Sequence, residues 1–232
     1  MAEPAVVRAG VLVVARDPWA VRVATMISAT VGPAAVVLDP AACEAMLLQG
    51  AAAPGLAVIV LGEPWPAGEG APVPAAIVSV RSSLEARRVT HLTVARDERC
   101  VWVGPTVLDQ QPGCASCWEA RRRQHAAALA AAHGCAGSGA EDLARLAARA
   151  GPAVMRLALR SPEAEAAVVR RFIAGGAAPT AGRVVAVAGC RRCDPGAVRP
   201  GGRSPSWRAP ARTRSIDPRK EVKYEHVPCR SR

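Results

Sequence analysis

Short apolar runs alternate with segments of helical periodicity in the N-terminal part of the chain. Short runs rich in β-branched residues are typical of strands that are buried on both faces. Between the first two runs, apolar side chains recur at helical spacing after Asp17-Pro18, which is an N-cap followed by a first-turn proline. A second helix is predicted over residues 41–49. The predicted strands are residues 11–14, 36–38, 56–61 and 76–80.

This order of strands and helices predicts a parallel sheet with helices packed on its faces. Further along the chain, two apolar runs around a charged turn predict a β-hairpin over residues 89–95 and 101–104. Residues 184–187 predict a last strand. We therefore expect an α/β fold, with a Rossmann-like, mostly parallel sheet and a helical C-terminal part. The later helices are predicted at residues 118–133, 138–151 and 161–174.

The charge of the chain is concentrated at its C-terminal end. The 232 residues carry a net charge of +11, which first suggests nucleic acid or an acidic surface as a partner. Residues 190–232 hold twelve basic against four acidic side chains, a net charge of +8, which leaves +3 for the rest. The seven aromatic residues are too few and too scattered for a base-stacking platform. Nucleic-acid binding is therefore not the expected main function.

Targeting signals are not evident in the sequence. The longest uncharged run, residues 46–62, is interrupted by Gln49, Pro54 and three glycines, so it does not resemble a membrane-spanning helix. The N-terminus contains the acidic Glu3, where a signal peptide would be basic. Eight cysteines without an export signal are typical of a cytoplasmic chain whose paired cysteines bind metal or perform redox chemistry. We expect a cytoplasmic protein with no membrane partner.

The turn after the first strand lacks the chemistry of a nucleotide site. A phosphate cradle needs glycines, which allow backbone amides to approach the pyrophosphate at the N-terminus of a helix. Residues 15–20 contain no glycine, Pro18 removes one amide donor, and Asp17 places a negative charge where a phosphate would lie. A P-loop is excluded over most of the chain because no lysine precedes Lys220. We therefore expect no ATP binding.

Two Cys-x-x-Cys pairs are the strongest chemical signal. The first pair stands near a predicted helix start, and its spacing allows both thiolates to bind one tetrahedral zinc. The second pair begins 73 residues later, and two such knuckles complete a closed structural site. A redox role or unligated cysteines are the alternatives. The predicted ligands of structural zinc are Cys114, Cys117, Cys190 and Cys193.

The remaining residues offer no catalytic constellation. The sequence contains no Ser-His-acid spacing and no nucleophile elbow, so no catalytic and no cofactor-binding residue is assigned. Three isolated cysteines are expected to be small buried side chains. They are Cys43, Cys100 and Cys135.

One segment resembles a known family. Val103-Gly104-Pro105, followed by Gly113-Cys-Ala-Ser-Cys-Trp-Glu-Ala-Arg-Arg-Arg-Gln-His125, is similar to the zinc-knuckle segment of ThiF-like scaffold proteins in thiazole/oxazole-modified microcin (TOMM) biosynthesis. The hairpin before it and the helices and strand after it follow the order of that family. The resemblance covers residues 100–125 well and residues 10–190 loosely. It implies a degenerate fold of the ubiquitin-activating-enzyme type, in which nucleotide binding has commonly been lost.

The resemblance also implies a function in peptide natural-product biosynthesis. Members of the family are leader-peptide-binding or scaffold subunits that present a ribosomal precursor peptide to a YcaO-type, ATP-using cyclodehydratase. That enzyme cyclises Cys, Ser and Thr side chains to azolines in bacteriocin-type pathways. We therefore expect a non-catalytic partner subunit of such an enzyme. The alternatives are an active ThiF-type adenylyltransferase and a zinc-bearing nucleic-acid-binding module.

The C-terminal segment offers a second set of zinc ligands. Residues 216–229 look like the ending of family members, where the closing knuckle usually sits, but the last position is Arg232 rather than a cysteine. Either Cys190 and Cys193 supply the second pair, or Cys229 does so with His226 or one of that pair. The expected division of the chain is a Rossmann-like domain over residues 1–110, a zinc-knuckle and helical segment over 111–189, and a basic tail over 190–232.

Overall fold

A computed structural model of the chain shows helices on both faces of a single mixed sheet. It describes residues 10–50, 53–62, 73–97, 100–109, 112–124, 139–174, 178–190 and 192–193. The sheet has seven strands in the order β2-β1-β3-β4-β5-β6-β7. The α/β class predicted from the sequence is therefore confirmed.

The N-terminal half of the sheet is parallel. Strand β1 lies between β2 and β3, so that Val13 stands beside Val37 on one side and Val58 on the other. Strand β4 then pairs with β3 in the same direction. The bounds are β1 Val11–Ala15, β2 Ala35–Leu38, β3 Leu56–Leu61 and β4 His91–Arg96.

Three antiparallel strands extend the sheet beyond β4. Strand β5 forms the predicted hairpin with β4, and β6 and β7 continue outward from it, each antiparallel to its neighbour. Strands from residues 168–183 therefore join the sheet built by residues 11–103. The bounds are β5 Cys100–Val103, β6 Val168–Ile173 and β7 Thr180–Arg183.

Alternate residues of the strands build two separate hydrophobic cores. On one face, Val13, Val58 and Val94 pack against helices α1 and α5. On the other face, Leu12 and Ile59 pack against helices α2 and α3 and against Trp118 of helix α4. The bounds are α1 Pro18–Val31, α2 Pro40–Leu48, α3 Ala75–Ala86, α4 Ala115–Gln124, α5 Ala140–Arg160 and α6 Pro162–Glu165. In the described part of the chain, no helix is both long and apolar enough to cross a bilayer.

The prediction of a strand over residues 76–80 was wrong. These residues belong to α3, whose buried side chains Ile77, Val80 and Leu84 recur with helical spacing. A short apolar run fits either a buried strand or one side of a helix. Here the buried side chains continue at helical spacing beyond residue 80, which distinguishes the helix from a strand.

The predicted C-terminal elements also differ from the structure. Helix α5 continues past residues 151 and 152 to Arg160, with Pro152 inside it. At Gly151 it packs closely on α1, since a Cβ there would lie 3.0 Å from Ile27 Cδ1. The helix that begins at Pro162 ends at Glu165, and residues 168–173 form β6 instead. Within the described residues the last strand is β7, and residues 184–187 do not form a strand. The part of the predicted helix beyond Gln124 and the basic tail lie largely outside the described residues.

Candidate functional site

The carboxyl ends of β1 and β3 border the position where doubly wound sheets bind ligands. From β1 the chain crosses to β2 on one side and later to β3 on the other, so the strand order reverses between β1 and β3. Such a switch point opens a crevice at the carboxyl edge of the sheet, next to the N-terminus of the first helix. The residues that follow β1 and β3 therefore decide what this crevice can hold.

A carboxylate of the chain itself occupies this crevice. Asp17 caps helix α1, since its Oδ1 accepts a hydrogen bond from the amide of Ala20 at 2.9 Å. Its Oδ2 accepts a second hydrogen bond at 2.9 Å from the amide of Gly62, which directly follows β3. The carboxylate thus takes the amide donors and the positive helix end that an anionic ligand would use.

Two further contacts close the same edge. Gly62 has no room for a side chain, because a Cβ there would lie 2.6 Å from the Asp17 Cγ. Arg96, the last residue of β4, donates a hydrogen bond from Nε to the Gly62 carbonyl. Its guanidinium lies 5.1 Å from the centre of the Trp19 ring, within cation–π distance. The carboxyl ends of β1, β3 and β4 are therefore linked to one another.

The four predicted metal ligands lie together next to the start of α4. The Sγ atoms of Cys114, Cys117, Cys190 and Cys193 all lie within 4.8 Å of one another. Cys114 Sγ is 3.8 Å from Cys117 Sγ and 3.6 Å from Cys190 Sγ. A tetrahedral zinc with Zn–S bonds of about 2.3 Å separates its sulfurs by about 3.8 Å. The cluster could therefore hold a metal ion.

The local backbone explains why the cysteines meet. Cys114 directly precedes helix α4 and Cys117 lies in its first turn, where the partial positive charge of the helix favours thiolates. Gly113 has φ +94°, and a Cβ there would lie 2.5 Å from the Val184 carbonyl oxygen. This close approach brings the segment after β7 against the start of α4.

Backbone amides complete the surroundings of two sulfurs. The amide of Cys114 donates to Cys193 Sγ and the amide of Val187 donates to Cys117 Sγ, both at 3.4 Å. Amide donors of this kind orient metal-binding thiolates and disperse their charge. An apolar wall around the cluster includes Val107, Val184 and Val187. The donor set is entirely sulfur, which suits zinc and leaves no ligand position for a reacting water.

The thiols of the cluster differ in their pKa values. Hydrogen bonds from Cys114 lower the pKa of Cys193 to about 5. The pKa of Cys114 is raised, first by its hydrogen bond to Cys193 and then by burial. Burial also raises the pKa of Cys117 to about 11. A cation among the sulfurs would favour ionisation of Cys114 and Cys117 as well, which is the electrostatic role that a structural metal has.

Helix α4 is held against α3 and the sheet by an ion pair and by cation–π contacts that the sequence analysis did not identify. Arg81 of α3 forms a buried ion pair with Glu119 of α4. The guanidinium of Arg122 lies 5.0 Å from the Trp102 ring centre and 5.3 Å from that of Trp118. Charged residues are rarely buried without a partner, but sequence periodicity does not show which charges meet. These contacts hold the cysteine-bearing end of α4 in place.

Two of the isolated cysteines do not belong to the cluster. Cys43 and Cys100 are buried and belong to other parts of the fold, in agreement with their expected role as small buried side chains. Cys135, His226 and Cys229 lie outside the described residues, so the alternative ligand set stays open.

Comparison with known proteins yields structural matches only. No known protein-family model matches the chain, and no curated protein sequence is significantly similar to it. A crystal structure of E. coli MccB with MccA-N7isoASN matches with a TM-score of 0.50 and 10% identity, over 82% of this chain and 68% of that one. This likeness concerns the fold alone.

Two heterocyclase structures match more weakly. A heterocyclase in complex with substrate and cofactor has a TM-score of 0.47 at 13% identity, over 82% of this chain and 26% of that one. The heterocyclase TruD has a TM-score of 0.43 at 15% identity, over 81% of this chain and 28% of that one. The chain therefore spans about a quarter of the length of these two proteins.

Proposed function

We propose that the chain is a non-catalytic scaffold subunit that presents a ribosomal precursor peptide to a YcaO-type, ATP-using cyclodehydratase. In this role it holds one structural zinc and binds no ATP itself. The proposal of a non-catalytic role rests on one observation. The Asp17 carboxylate occupies the crevice at the switch point between β1 and β3. The partner and the pathway are inferred from the sequence segment at residues 100–125.

The chemistry of the crevice argues against adenylation. An adenylyltransferase must bind the three phosphates of ATP and stabilise charge on the phosphorus that is attacked. Here the amides of Ala20 and Gly62 already donate to a carboxylate, and that negative charge repels phosphate. Binding ATP in this crevice would require Asp17 to leave both hydrogen bonds and Arg96 to release Gly62.

The cysteine cluster fits a structural role in such a subunit. Its four sulfurs lie within 4.8 Å of one another and would fill all four ligand positions of a tetrahedral zinc. The metal would join the start of α4 to the segment after β7. We infer that zinc stabilises this edge of the protein and takes no part in the chemistry of the cyclodehydratase.

Copurification tests the proposed partnership. The chain would be coexpressed with a YcaO-type cyclodehydratase and with a short Cys/Ser/Thr-rich precursor peptide, and isolated through a tag on this chain. We expect a complex with the cyclodehydratase and heterocycle formation that depends on this chain. If neither the cyclodehydratase nor the precursor copurifies, the proposed function is wrong.

Two control measurements separate the competing functions. ATP–pyrophosphate exchange by the isolated chain would indicate an active adenylyltransferase, and we expect none. Steeply salt-dependent binding of duplex DNA that is lost on removal of residues 194–232 would indicate a nucleic-acid-binding module. Either positive result, together with failed copurification, would replace the proposal with that function.

A further inference from the structure

Helix α5 carries a row of four exposed arginines on its outer side. We call Arg145, Arg149, Arg156 and Arg160 the arginine row. At 100° per residue these positions lie within about 60° of one another around the helix axis. At a rise of 1.5 Å per residue the row is about 22 Å long. Arg121, Arg122 and Arg123, by contrast, are consecutive and point in different directions.

The arginine row has little compensation from acidic groups. No Asp or Glu occurs from Leu143 to Arg160. Arg145 has a partner, since its Nε lies 3.4 Å from Glu141 Oε1. Within the described ranges, the other three arginines have no ion pair and no hydrogen bond from their side chains. Three guanidinium groups of one helix face are therefore available to a partner.

Only part of this charge is placed where it stabilises the helix, since Arg145 pairs with Glu141 and Arg160 lies in the last turn. Arg145 and Arg149 are four residues apart, as are Arg156 and Arg160, and like charges at this spacing destabilise a helix. On a solvent-exposed helix face that has no partner, charges of alternating sign support the helix. The row is better explained by a negatively charged partner, which would relieve the repulsion.

Exposed aliphatic groups flank the C-terminal end of the row. Leu157 is 43% exposed and Leu159 is 53% exposed. At 100° per residue they project on opposite sides of Arg156 and Arg160. The phosphates of a nucleic acid make no favourable contact with aliphatic side chains, whereas a polypeptide supplies carboxylates and aliphatic side chains together. This combination favours a polypeptide partner.

We propose that the arginine row and its two leucines bind an acidic polypeptide segment that also carries aliphatic side chains. An extended segment of about seven residues spans the row, and its carboxylates accept paired hydrogen bonds from the guanidinium groups. The aliphatic side chains of the segment contact Leu157 and Leu159. This surface lies on α5, apart from the cysteine cluster, and does not depend on the proposed scaffold function.

Fluorescence anisotropy with synthetic peptides tests this proposal. The full chain is titrated into a labelled peptide of glutamate and leucine, its analogue of glutamine and leucine, and a labelled DNA duplex. The triple variant Arg149→Gln/Arg156→Gln/Arg160→Gln removes three charges from the row. A matched control, Arg199→Gln/Arg203→Gln/Arg208→Gln, removes the same charge from residues 190–232. Circular dichroism checks that each variant is folded.

The proposal predicts a specific order of affinities. The acidic peptide should bind the wild type and the control alike, and the triple variant about ten-fold more weakly, as three exposed ion pairs are lost. The glutamine analogue should bind much more weakly than the acidic peptide. A second variant, Leu157→Gln/Leu159→Gln, should weaken the glutamate–leucine peptide but not a polyglutamate.

Three results would overturn this proposal. The first is no measurable binding of the acidic peptide to the wild type. The second is an equal loss in the triple variant and in the control, which would show an effect of net charge alone. The third is tighter binding of the DNA duplex that depends on the arginine row, which would assign the surface to nucleic acid.

Discussion

Replacement of Gly62 by alanine tests the closed crevice at the carboxyl edge of the sheet. The new Cβ would lie 2.6 Å from the Asp17 Cγ, so the carboxylate has to move. Asp17 then loses its N-cap hydrogen bond to Ala20, worth about 1 kcal/mol, and its charged hydrogen bond to residue 62, worth about 2 kcal/mol. We expect Gly62→Ala to lower the free energy of unfolding by about 3 kcal/mol.

The same argument predicts strong coupling between residues 17 and 62. Asp17→Ala removes the same two hydrogen bonds and should cost about as much as Gly62→Ala. In the double variant the new methyl group no longer meets a carboxylate, so the two costs should not add. The whole cost of the double variant should stay near 3 kcal/mol, against about 6 kcal/mol for independent sites.

Urea denaturation followed by circular dichroism measures these differences. A loss of 3 kcal/mol is detectable, since domains unfold with about 5–15 kcal/mol. Gly182→Ala is the matched control, because a Cβ at that position meets no atom within 4 Å. Additive costs at residues 17 and 62, or a Gly62→Ala variant as stable as the control, would refute the contact between the carboxylate and this strand end.

Three further predictions concern the metal, the pH and the buried charges. Metal analysis should find about one zinc per chain. The zinc should be lost in Cys114→Ser, in Cys117→Ser and in the double variant Cys190→Ser/Cys193→Ser, but kept in the control Cys43→Ser. Retention of zinc in the double variant would favour Cys229 as a ligand. Burial lowers the pKa of His91 from 6.5 to about 4, so the unfolded chain takes up this proton first on acidification. Stability should therefore fall below about pH 6.5, by about 2 kcal/mol at pH 5. Urea unfolding of His91→Leu should lack this part of the pH dependence, and equal dependence in both proteins would contradict it. Glu119→Gln leaves the Arg81 guanidinium buried without a counter-charge and should cost about 3–5 kcal/mol in urea unfolding. The double variant Arg81→Met/Glu119→Leu should lose less unfolding free energy than Glu119→Gln. A larger loss in the double variant would show that the ion pair itself stabilises the fold.

The parallel half of the sheet could be predicted from the sequence because its strands are buried on both faces. Runs such as residues 56–61 are continuously apolar and rich in β-branched residues, and turn-forming residues flank them. The same rule failed at residues 76–80, where a single apolar run does not distinguish a strand from one side of a helix. It failed again at residues 168–173, since β6 carries Arg170 and Arg171 and lacks the pattern of a buried strand.

The candidate site shows the same division between local and long-range information. The spacing of Cys114 and Cys117, and of Cys190 and Cys193, is local, and it predicted four residues whose sulfurs the structure brings together. The crevice contacts are long-range. Asp17 could be predicted as an N-cap, but its hydrogen bond to Gly62 spans 45 residues and depends on the order of the strands. Nothing in the sequence near Gly62 indicates that partner.

The two halves of the cysteine cluster are separated by most of the C-terminal part of the fold. Between Cys117 and Cys190 the chain builds α5, α6, β6 and β7, so the sulfurs meet only after these elements are in place. A chain that has folded only to the first pair offers two thiolates, which bind metal far more weakly than four. A metal held by all four sulfurs would therefore bind tightly only to chains in which these elements have formed. The metal content of a preparation would accordingly report the fraction of its chains that have completed this part of the fold.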